Sequence, residues 1–405
     1  MTSSSVARGP GAAPSPSAAA APNPLAAQVA ATVRAAGGWL PFDRFMQIAL
    51  YTPGLGYYAG GARTFGQLAR DGSDFVTAPE LSPLFARALA RQLAQSLAAT
   101  GTNEVWEFGA GSGALAAGLL AALEALGQSV ARYTIVDVSG TLRARQQARL
   151  APWGERVAWA ERLPDALRGV VVGNEVLDAM PVQLLARSGG QWHERGVALP
   201  SDLHPDQPAA GFQQSLYAID SEAIRLVWQD RPSALRPPVE VPGAHDYLTE
   251  LHAQGQAFVA TVAQALRRGG EGAAFFIDYG FPEREYYHPQ RATGTLVCHR
   301  AHQVDDDPLA DVGAKDITAH VDFTGAALAA QGAGLDVLGY TSQARFLLNC
   351  GIAELMAAAD LPTRVNAMKL LSEHEMGELF KVLAFATPGH PPALGFAAGD
   401  RTHTL

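Results

Sequence analysis

The chain has 405 residues, a formal net charge of −9 and 17% charged residues. This length exceeds one typical domain, so we expect one large domain with insertions or two domains. No basic stripe appears, which argues against a nucleic-acid partner. No apolar run of about 18 residues appears, which argues against membrane insertion. The cysteines Cys298 and Cys350 lack the spacing of a disulfide framework or a zinc site, so we expect buried free thiols.

Changes in composition along the chain predict six segments. Residues 1–24 are rich in alanine, serine and proline and predict a disordered tail. Because Arg8 is the single arginine of this tail, we expect a cytoplasmic bacterial protein rather than one of the mitochondrial matrix. The other segments are an N-terminal helical section with a pre-core loop (25–100), a first core part (101–181), an inserted β-rich or helical lobe (182–246), the remaining core with C-terminal elements (247–388) and a C-terminal tail (389–405).

Before the core, the pattern predicts helices and two loops. Apolar residues at helical spacing predict two helices within 25–50, with Pro41 in the first turn of the second. A loop with three tyrosines follows at 51–58, and a second loop at 72–80 leads into an amphipathic helix at 83–97. We therefore expect a helical section ahead of the core.

The most informative motif is a strand, a glycine turn and a helix at 105–123. A short apolar run contains Glu107, and Gly109, Gly111 and Gly113 follow before the helix. Glycine is needed where a Cβ would forbid the turn or keep a ligand from the backbone. The spacing differs from the Gly-x-Gly-x-x-Gly of dinucleotide-binding proteins. The motif predicts a nucleotide-like ligand at the helix N-terminus; a tight turn without a ligand is the alternative.

Further apolar runs alternate with helical patterns after this motif. Such alternation predicts an α/β fold with a mostly parallel, doubly wound sheet, whose ligands bind at the carboxyl ends of the strands. The predicted strands are 133–139, 157–159, 169–177, 273–280 and 381–386, and the predicted helices are 142–150, 247–268 and one near 324–333.

Two carboxylates near the glycine turn are candidates for cofactor binding. Asp137 stands at the end of the second predicted strand, where a carboxylate can accept both ribose hydroxyls of a nucleoside. A helix N-cap or a turn is its alternative role. Glu107 can face either end of a nucleoside ligand or cap nearby turn amides.

A second polar cluster lies at the carboxyl end of the strand at 169–177. It contains Asn174, Glu175 and Asp178, and Asp278 occupies a similar place at the end of the strand at 273–280. Carboxylates at strand ends can orient a guanidinium by charge-assisted hydrogen bonds. Acidic residues that stabilise a helix N-terminus are the alternative. We expect Glu175, Asp178 and Asp278 to be catalytic and Asn174 to lie on the cofactor side.

The segment 316–323 contains Asp316, His320 and Asp322. These residue types can ligate a metal, but no further ligand completes a site. We therefore predict no metal and expect a loop that faces the substrate or a hydrogen-bonded structural histidine.

Six motifs occur in order along the chain, at 45–58, 74–80, 107–113, 174–182, 277–280 and 316–323. Together they resemble the MidA family of S-adenosylmethionine (SAM)-dependent methyltransferases. The resemblance runs over residues 25–388 and implies a Rossmann-like class I methyltransferase core with a seven-stranded sheet, a substrate lobe and SAM as cofactor. The mitochondrial member of that family is an arginine methyltransferase that assists complex I assembly and symmetrically dimethylates an arginine of a core subunit.

The resemblance also implies residue roles. Gly109, Gly111 and Gly113 match the SAM-binding loop of the family, and Asn174, Glu175 and Asp178 match the motif after its fourth core strand. The family's pre-core loop implies that three further residues line the same pocket. These are Thr77, Pro79 and Glu80.

We therefore expect a SAM-dependent methyltransferase that acts on an arginine of a protein. A respiratory complex I subunit is one candidate substrate, and a homodimer stays an open option. A small-molecule methyltransferase and a SAM-binding assembly factor without catalysis are the alternatives. An NAD-dependent dehydrogenase fits less well, because the glycine spacing differs and no histidine suited to hydride chemistry stands out.

Overall fold

The fold is known from a computed structural model that describes residues 23–60, 77–137, 140–200, 224–300 and 303–405. The predicted disordered tail lies almost entirely outside the described residues, as does most of the loop at 72–80. Residues 23 and 24 belong to the start of the first helix instead, because Asn23 caps it by accepting from Leu25 N. The six-segment division of the chain stays a prediction.

An N-terminal helical section precedes the main sheet. Helix α4 (Pro83–Thr100) begins after Ser82, whose hydroxyl accepts a hydrogen bond from Leu84 N. It ends before Gly101, whose backbone is in the left-handed region (φ +60°). Pro41 precedes the second helix as its N-cap rather than lying in its first turn. The elements of this section are α1 (Pro24–Ala35), β1 (Trp39–Pro41), α2 (Phe42–Tyr51), α3 (Ala78–Leu81) and α4 (Pro83–Thr100).

The next section alternates strands and helices. Each strand is a short apolar run, and all six residues of the last one are buried, as expected for a strand covered on both faces. The elements are β2 (Glu104–Phe108), α5 (Ala114–Ala125), β3 (Arg132–Val136), α6 (Gly140–Leu150), β4 (Val157–Ala160) and β5 (Gly169–Asn174).

The following strands form a separate antiparallel sheet with β1. They are β6 (Gln183–Ser188), β7 (Gln191–Ala198), β8 (Val227–Pro232) and β9 (Tyr247–Leu251). The prediction of one helix over 247–268 was wrong at its start, because 247–251 is strand β9. Tyr247 and Thr249 suit a strand, and β6 offers them a pairing edge, with Gln183 opposite Leu251. Five residues are too few for periodicity to separate the two structures.

The remaining chain completes the main sheet and adds a separate antiparallel sheet of three strands, at 297–300, 303–305 and 316–318. Its elements are α7 (Ala253–Gly269), β10 (Gly272–Phe281), α8 (Glu283–Tyr286), β11 (Val297–Arg300), β12 (Gln303–Asp305), β13 (Asp316–Thr318), β14 (Val321–Asp322), α9 (Phe323–Gly332), β15 (Asp336–Ser342), α10 (Gln343–Asn349), α11 (Ile352–Ala357), α12 (Leu361–Leu371) and β16 (Phe380–Ala386). The segment 389–405 is not a free tail. Phe396 packs on Phe346, with ring centroids 5.4 Å apart, and Asn349 donates to Gly395 O at 2.8 Å.

The main sheet is mixed. Its order is β15-β16-β10-β5-β2-β3-β4, and the short β14 pairs with β10 as an eighth strand. The pairs from β10 to β4 are parallel, whereas β16 is antiparallel to both of its neighbours. This differs from the mostly parallel seven-stranded sheet that we expect from the sequence. The direction of β16 could not be predicted, because a buried apolar run reads alike in either direction.

Helices cover both faces of this sheet. Leu89 of α4 and Leu119 of α5 pack in the core on one face, and Val259 of α7 and Phe323 of α9 pack in the core on the other. Polar ligands are therefore confined to the edge where β2, β3, β5 and β10 end. In the described part of the chain, no helix is long and apolar enough to span a bilayer.

Candidate active site

A cavity of about 990 Å³ opens where the parallel strands end. Most of the residues predicted to form a site line it. They are Thr77, Pro79, Glu107, Gly109, Gly111, Asp137, Asn174, Glu175 and Asp178. Three predicted residues do not line it: Glu80, Gly113 and Asp278.

The cavity has two ends with different chemistry. We call the first the glycine-loop end, formed by Glu107, Gly109, Gly111 and Asp137. We call the second the carboxylate end. It is formed by Tyr58, Glu175, Asp178, Asp316 and His320.

The glycine loop has a backbone that only glycine adopts readily. Gly109, Gly111 and Gly113 have φ values of +64°, +52° and +81°. A Cβ on Gly109 would also come within 2.9 Å of a methyl of Val176. Helix α5 begins directly after the loop, so the unpaired amides of its first turn are available to a polar ligand.

Gln146 of α6 joins the glycine loop to the end of β3. Its Nε2 donates to Gly111 O at 3.0 Å and to Asp137 Oδ2 at 2.8 Å. Its Oε1 accepts from Trp159 Nε1 at 2.9 Å, and the side chain is fully buried. Sequence reasoning missed Gln146, because a glutamine within a predicted helix carries no signal of this bridge.

Glu107 is almost fully buried beneath the loop, with 2% of its surface exposed. The Tyr133 hydroxyl donates to its Oε2 at 2.7 Å. Burial raises the pKa of the Glu107 carboxyl to about 8, although this hydrogen bond lowers it in part. The carboxyl is therefore largely protonated at neutral pH unless a ligand brings positive charge near it.

Glu80 has a different position from the one that the resemblance implied. It accepts hydrogen bonds from the Ser112 hydroxyl and, at 3.0 Å, from Arg149 Nη1. Arg149 also donates to Ser112 Oγ at 2.7 Å. Glu80 thus ties α3 and α6 to the glycine loop from outside the cavity.

At the carboxylate end, the turn after β5 contains a strained residue. Glu175 has φ +54°, a region that non-glycine residues rarely adopt. Its Oε1 accepts from Asn174 Nδ2 at 2.9 Å. Burial and the nearby Asp178 raise the pKa of the Glu175 carboxyl to about 8.

Asp278 explains how this turn is held. Its Oδ2 accepts from the backbone amides of Val176, Leu177 and Asp178 at 3.1, 2.9 and 3.3 Å. The side chain is fully buried, and burial raises its pKa well above the usual range. Asp278, which we predicted to be catalytic, therefore lies beneath the turn and positions Asp178 instead of facing the cavity.

Four buried polar atoms on the cavity wall have no hydrogen-bond partner in the described part of the chain. They are Asp178 Oδ1, Asn174 Oδ1, Thr318 Oγ1 and His320 Nδ1. Burial raises the pKa of Asp178 to about 6, although a hydrogen bond with Tyr279 lowers it in part. Because an unpaired buried polar group costs about 1–3 kcal/mol, such a concentration indicates a ligand with hydrogen-bond donors.

Aromatic residues complete the carboxylate end. The Tyr58 hydroxyl donates to Asp316 Oδ1 at 2.7 Å, and the Tyr58 ring stacks on Tyr51 with centroids 5.6 Å apart. The neighbouring Tyr57 is buried in the core beneath. The tyrosine-rich sequence at 51–58 was a usable signal, but it did not show which rings face the cavity.

The segment 316–323 contributes to the same end without forming a metal centre. His320 lines the cavity, and burial lowers its pKa to about 4, so its ring is neutral. Asp322 instead caps α9 by accepting from Gly325 N at 3.1 Å. Among the described residues, no group of three or more histidine, cysteine, aspartate or glutamate side chains is placed to hold a metal ion.

The cavity lining is strongly acidic. Among its described residues, Arg162 is the single lysine or arginine. The acidic members are Glu107, Asp137, Glu161, Glu175, Asp178 and Asp316. This surplus of carboxylates favours a cationic ligand.

Comparison with known proteins agrees with the fold and the glycine loop, which define a SAM-dependent methyltransferase. A family described as "Putative S-adenosyl-L-methionine-dependent methyltransferase" matches residues 88–341. The chain belongs to this family.

A solved structure and two curated relatives are similar to this chain over most of its length. A protein from Burkholderia thailandensis, solved with bound S-adenosyl-homocysteine, is 51% identical, with 94% of this chain and 96% of that chain covered and a TM-score of 0.84. A "Protein arginine methyltransferase NDUFAF7, mitochondrial" from Danio rerio is 26% identical, with 88% of this chain and 84% of the relative covered. A homologue from Drosophila melanogaster is 28% identical over 74% of this chain and 68% of the relative.

S-adenosylmethionine is the cofactor. The family and the bound product in the Burkholderia structure establish this, and the residues of the chain fit it. The glycine loop leaves the backbone bare at the N-terminus of α5, and Asp137 stands at the neighbouring strand end. The cavity is also larger than one nucleoside requires, which leaves room for a second reactant.

Proposed function

We propose that this protein transfers a methyl group from SAM to an arginine side chain of a protein. The observation that carries the proposal is the carboxylate end, where Glu175, Asp178 and Asp316 line a wall beside Tyr51 and Tyr58. A planar cation with several N–H donors matches carboxylates that accept and rings that stack.

The glycine-loop end would hold the cofactor. Asp137, which Gln146 holds in place, accepts hydrogen bonds from the ribose hydroxyls. The loop amides and Glu107 contact the rest of the cofactor. SAM supplies an electrophilic methyl group on sulfur. Asn174 is the last residue of β5 and lines the cavity, and it would join the cofactor side to Glu175, because its amide donates to Glu175 Oε1.

The carboxylate end would orient the guanidinium. This group is a poor nucleophile because its lone pairs are delocalised, so it must be held with one nitrogen in line with the methyl group. Glu175 and Asp178 accept its N–H groups, and its positive charge lowers their raised pKa values so that both ionise. As the N–C bond forms and the S–C bond breaks towards sulfur, one N–H proton passes to Asp178.

Two further observations support an arginine as the methyl acceptor over a neutral group. Curated relatives carry the name of protein arginine methyltransferases, and the unpaired atoms of Asp178 and Asn174 both accept hydrogen bonds. A hydroxyl or thiol acceptor offers one donor and no charge, so it would leave these carboxylates uncompensated. We further propose a cytoplasmic location and, as one candidate substrate, a subunit of respiratory complex I.

The test is the chemical identity of the methylated group. The purified protein is incubated with methyl-tritiated SAM and an extract of cells from which the gene for this protein has been deleted. The labelled protein fraction is then hydrolysed to amino acids. We expect label in methylarginines, and about 100-fold less of it with Asp178→Asn. Label in other residues, or in the small-molecule fraction alone, would contradict the proposal and favour the small-molecule alternative. Full cofactor binding without any transfer would favour an assembly factor.

A further inference from the structure

A second cavity, of about 360 Å³, lies beside the carboxylate end. Leu379 lines both cavities. Phe281 lines the second cavity and stacks on His320 of the first, with ring centroids 5.2 Å apart and planes inclined by 5°. One pair of stacked rings therefore lies between the two cavities.

The second cavity contains an unpartnered buried hydroxyl. Tyr340 is 1% exposed, and its hydroxyl has no hydrogen-bond partner in the described part of the chain. Tyr340 lines the cavity together with Glu285, Glu378 and Arg401, whose charges act on the pKa of its hydroxyl. The hydroxyl therefore faces the cavity, and its unmet hydrogen bond indicates a polar ligand.

The charged side chains of this cavity that form no ion pair with a described residue are negative. Glu378 is already paired with Arg401, whose Nη2 donates to its Oε2 at 3.2 Å, and Lys381 Nζ lies 3.9 Å from Glu378 Oε1. Glu285 and Glu373 also line the cavity, are exposed and form no ion pair with a described residue. Because the cations are engaged and two carboxylates are not, a cationic occupant is favoured over an anion.

We propose that the second cavity binds a second basic side chain of the same polypeptide, close to the arginine in the first cavity. Glu285 and Glu373 accept hydrogen bonds from this cation, and Tyr340 supplies a further oxygen. Side chains two residues apart on one face of an extended segment are about 7 Å apart, which suits cavities separated by one pair of stacked rings. The inference rests on the proposed function, since it assumes an arginine in the first cavity.

The test uses synthetic nonapeptides with one central arginine in a glycine–serine background. One series places lysine at each position up to three residues from the arginine, and a matched series places neutral norleucine there. Affinities are measured by calorimetry on the full chain saturated with S-adenosylhomocysteine. We expect about tenfold tighter binding for lysine over norleucine at one or two positions.

Variants assign this preference to the second cavity. The double variant Glu285→Gln/Glu373→Gln should lose it, and Tyr340→Phe should weaken it by about threefold. Glu155→Gln is the matched control, since Glu155 is exposed beside β4 at the opposite edge of the sheet, and it should keep the preference.

The outcomes separate this inference from the proposed function. If single-arginine peptides bind but lysine adds nothing, or if the double variant keeps the lysine preference, the second cavity is not this subsite and the proposed function stands. If arginine peptides bind no better than peptides with citrulline in its place, the proposed function fails and this inference fails with it.

Discussion

The two ends of the main cavity lie on the same sheet edge but differ in how their polar groups are satisfied. At the glycine-loop end, Glu107 accepts from Tyr133 and Asp137 accepts from Gln146. At the carboxylate end, Asp178 and His320 retain unpaired buried atoms, and Glu175 has a strained backbone. The first end is thus preassembled, whereas the second has its full set of hydrogen bonds only with an acceptor bound.

This difference predicts two kinds of variant. Changes at the glycine-loop end should lower cofactor affinity, because they disturb a finished binding surface. Changes at the carboxylate end should lower transfer while leaving the cofactor bound, because those groups act on the acceptor. Variants and pH titrations can test this division, from the largest expected effect to the smallest.

Gly111→Val should reduce affinity for S-adenosylhomocysteine by more than about 100-fold. The residue has φ +52°, which a β-branched side chain scarcely adopts, and it lines the cavity. Calorimetric titration measures the loss. Gly127→Val is the control, since Gly127 also has positive φ, at +73°, but a Cβ there would meet nothing within 4 Å. Equal loss of affinity in both variants would show general strain instead of a local effect.

Asp178→Asn should reduce methyl transfer by about 100-fold, because it removes a charge that orients the acceptor and takes its proton. Affinity for S-adenosylhomocysteine should stay within about twofold, and Tm should not fall, since the change also relieves repulsion between carboxylates. Transfer from labelled SAM and calorimetry check both parts. Asp165→Asn, at an exposed position, is the matched control. Loss of cofactor affinity in Asp178→Asn would break the division between the ends.

Asp278→Asn should lower the free energy of unfolding by about 2 kcal/mol, because an amide cannot replace a buried group that accepts from three backbone amides and Tyr279 N. Denaturant titration measures this change beside Asp178→Asn. Unchanged stability in Asp278→Asn, together with lost transfer, would return Asp278 to the catalytic role that the sequence predicts.

The stability of the ligand-free protein should fall as the pH rises from about 5 to 8. The carboxyls of Glu107 and Glu175 have pKa values near 8 in the folded protein and near 4.5 when unfolded. Their stabilising contribution is therefore complete below about 4.5 and is lost as the pH rises through 8, by at most about 1.4 kcal/mol per pH unit for each group. Denaturant titrations across this range measure the slope.

Matched variants assign the slope to the two ends. Glu107→Gln should remove the part of the slope that arises at the glycine-loop end. Glu175→Gln should remove the part that arises at the carboxylate end. A slope that neither variant changes would show that these two carboxyls are not its origin.

Glu80→Gln should have the smallest effect, a two- to threefold loss of affinity for S-adenosylhomocysteine. Glu80 acts on the glycine loop only through Ser112 and Arg149, and its ion pair with Arg149 is partly solvated. Calorimetry at low and high salt should show that the difference in affinity between the wild type and Glu80→Gln becomes smaller as the salt concentration rises. A loss above about 20-fold would place Glu80 in direct contact with the cofactor.

Much of the glycine-loop end was predictable because its signals are local. Three glycines between an apolar run and a helix specify the turn, and Asp137 follows at the end of the next strand. The positions of Glu175 and Asp178 on the cavity wall were predictable in the same way, since strand ends share one edge of a parallel sheet.

The rest depended on contacts between distant segments. Asp178 and Asp278 look alike in sequence, since each stands near the end of a predicted buried strand, yet one faces the cavity and the other holds the turn from beneath. Gln146, Asp316 and Tyr58 gain their roles only when α6, β13 and the loop after α2 meet at the sheet edge. Their residue types are common on helices and loops, so no local pattern separates them from other polar residues.

By itself, the sequence determined the α/β alternation, the glycine turn and the carboxylates at strand ends, because backbone preference and hydrophobic period act over a few residues. Only the tertiary structure decided the direction of β16, the strand at 247–251, the burial of Asp278 and the second cavity around Tyr340. These features depend on which surfaces meet, and the free energy of such contacts is not encoded in any one segment.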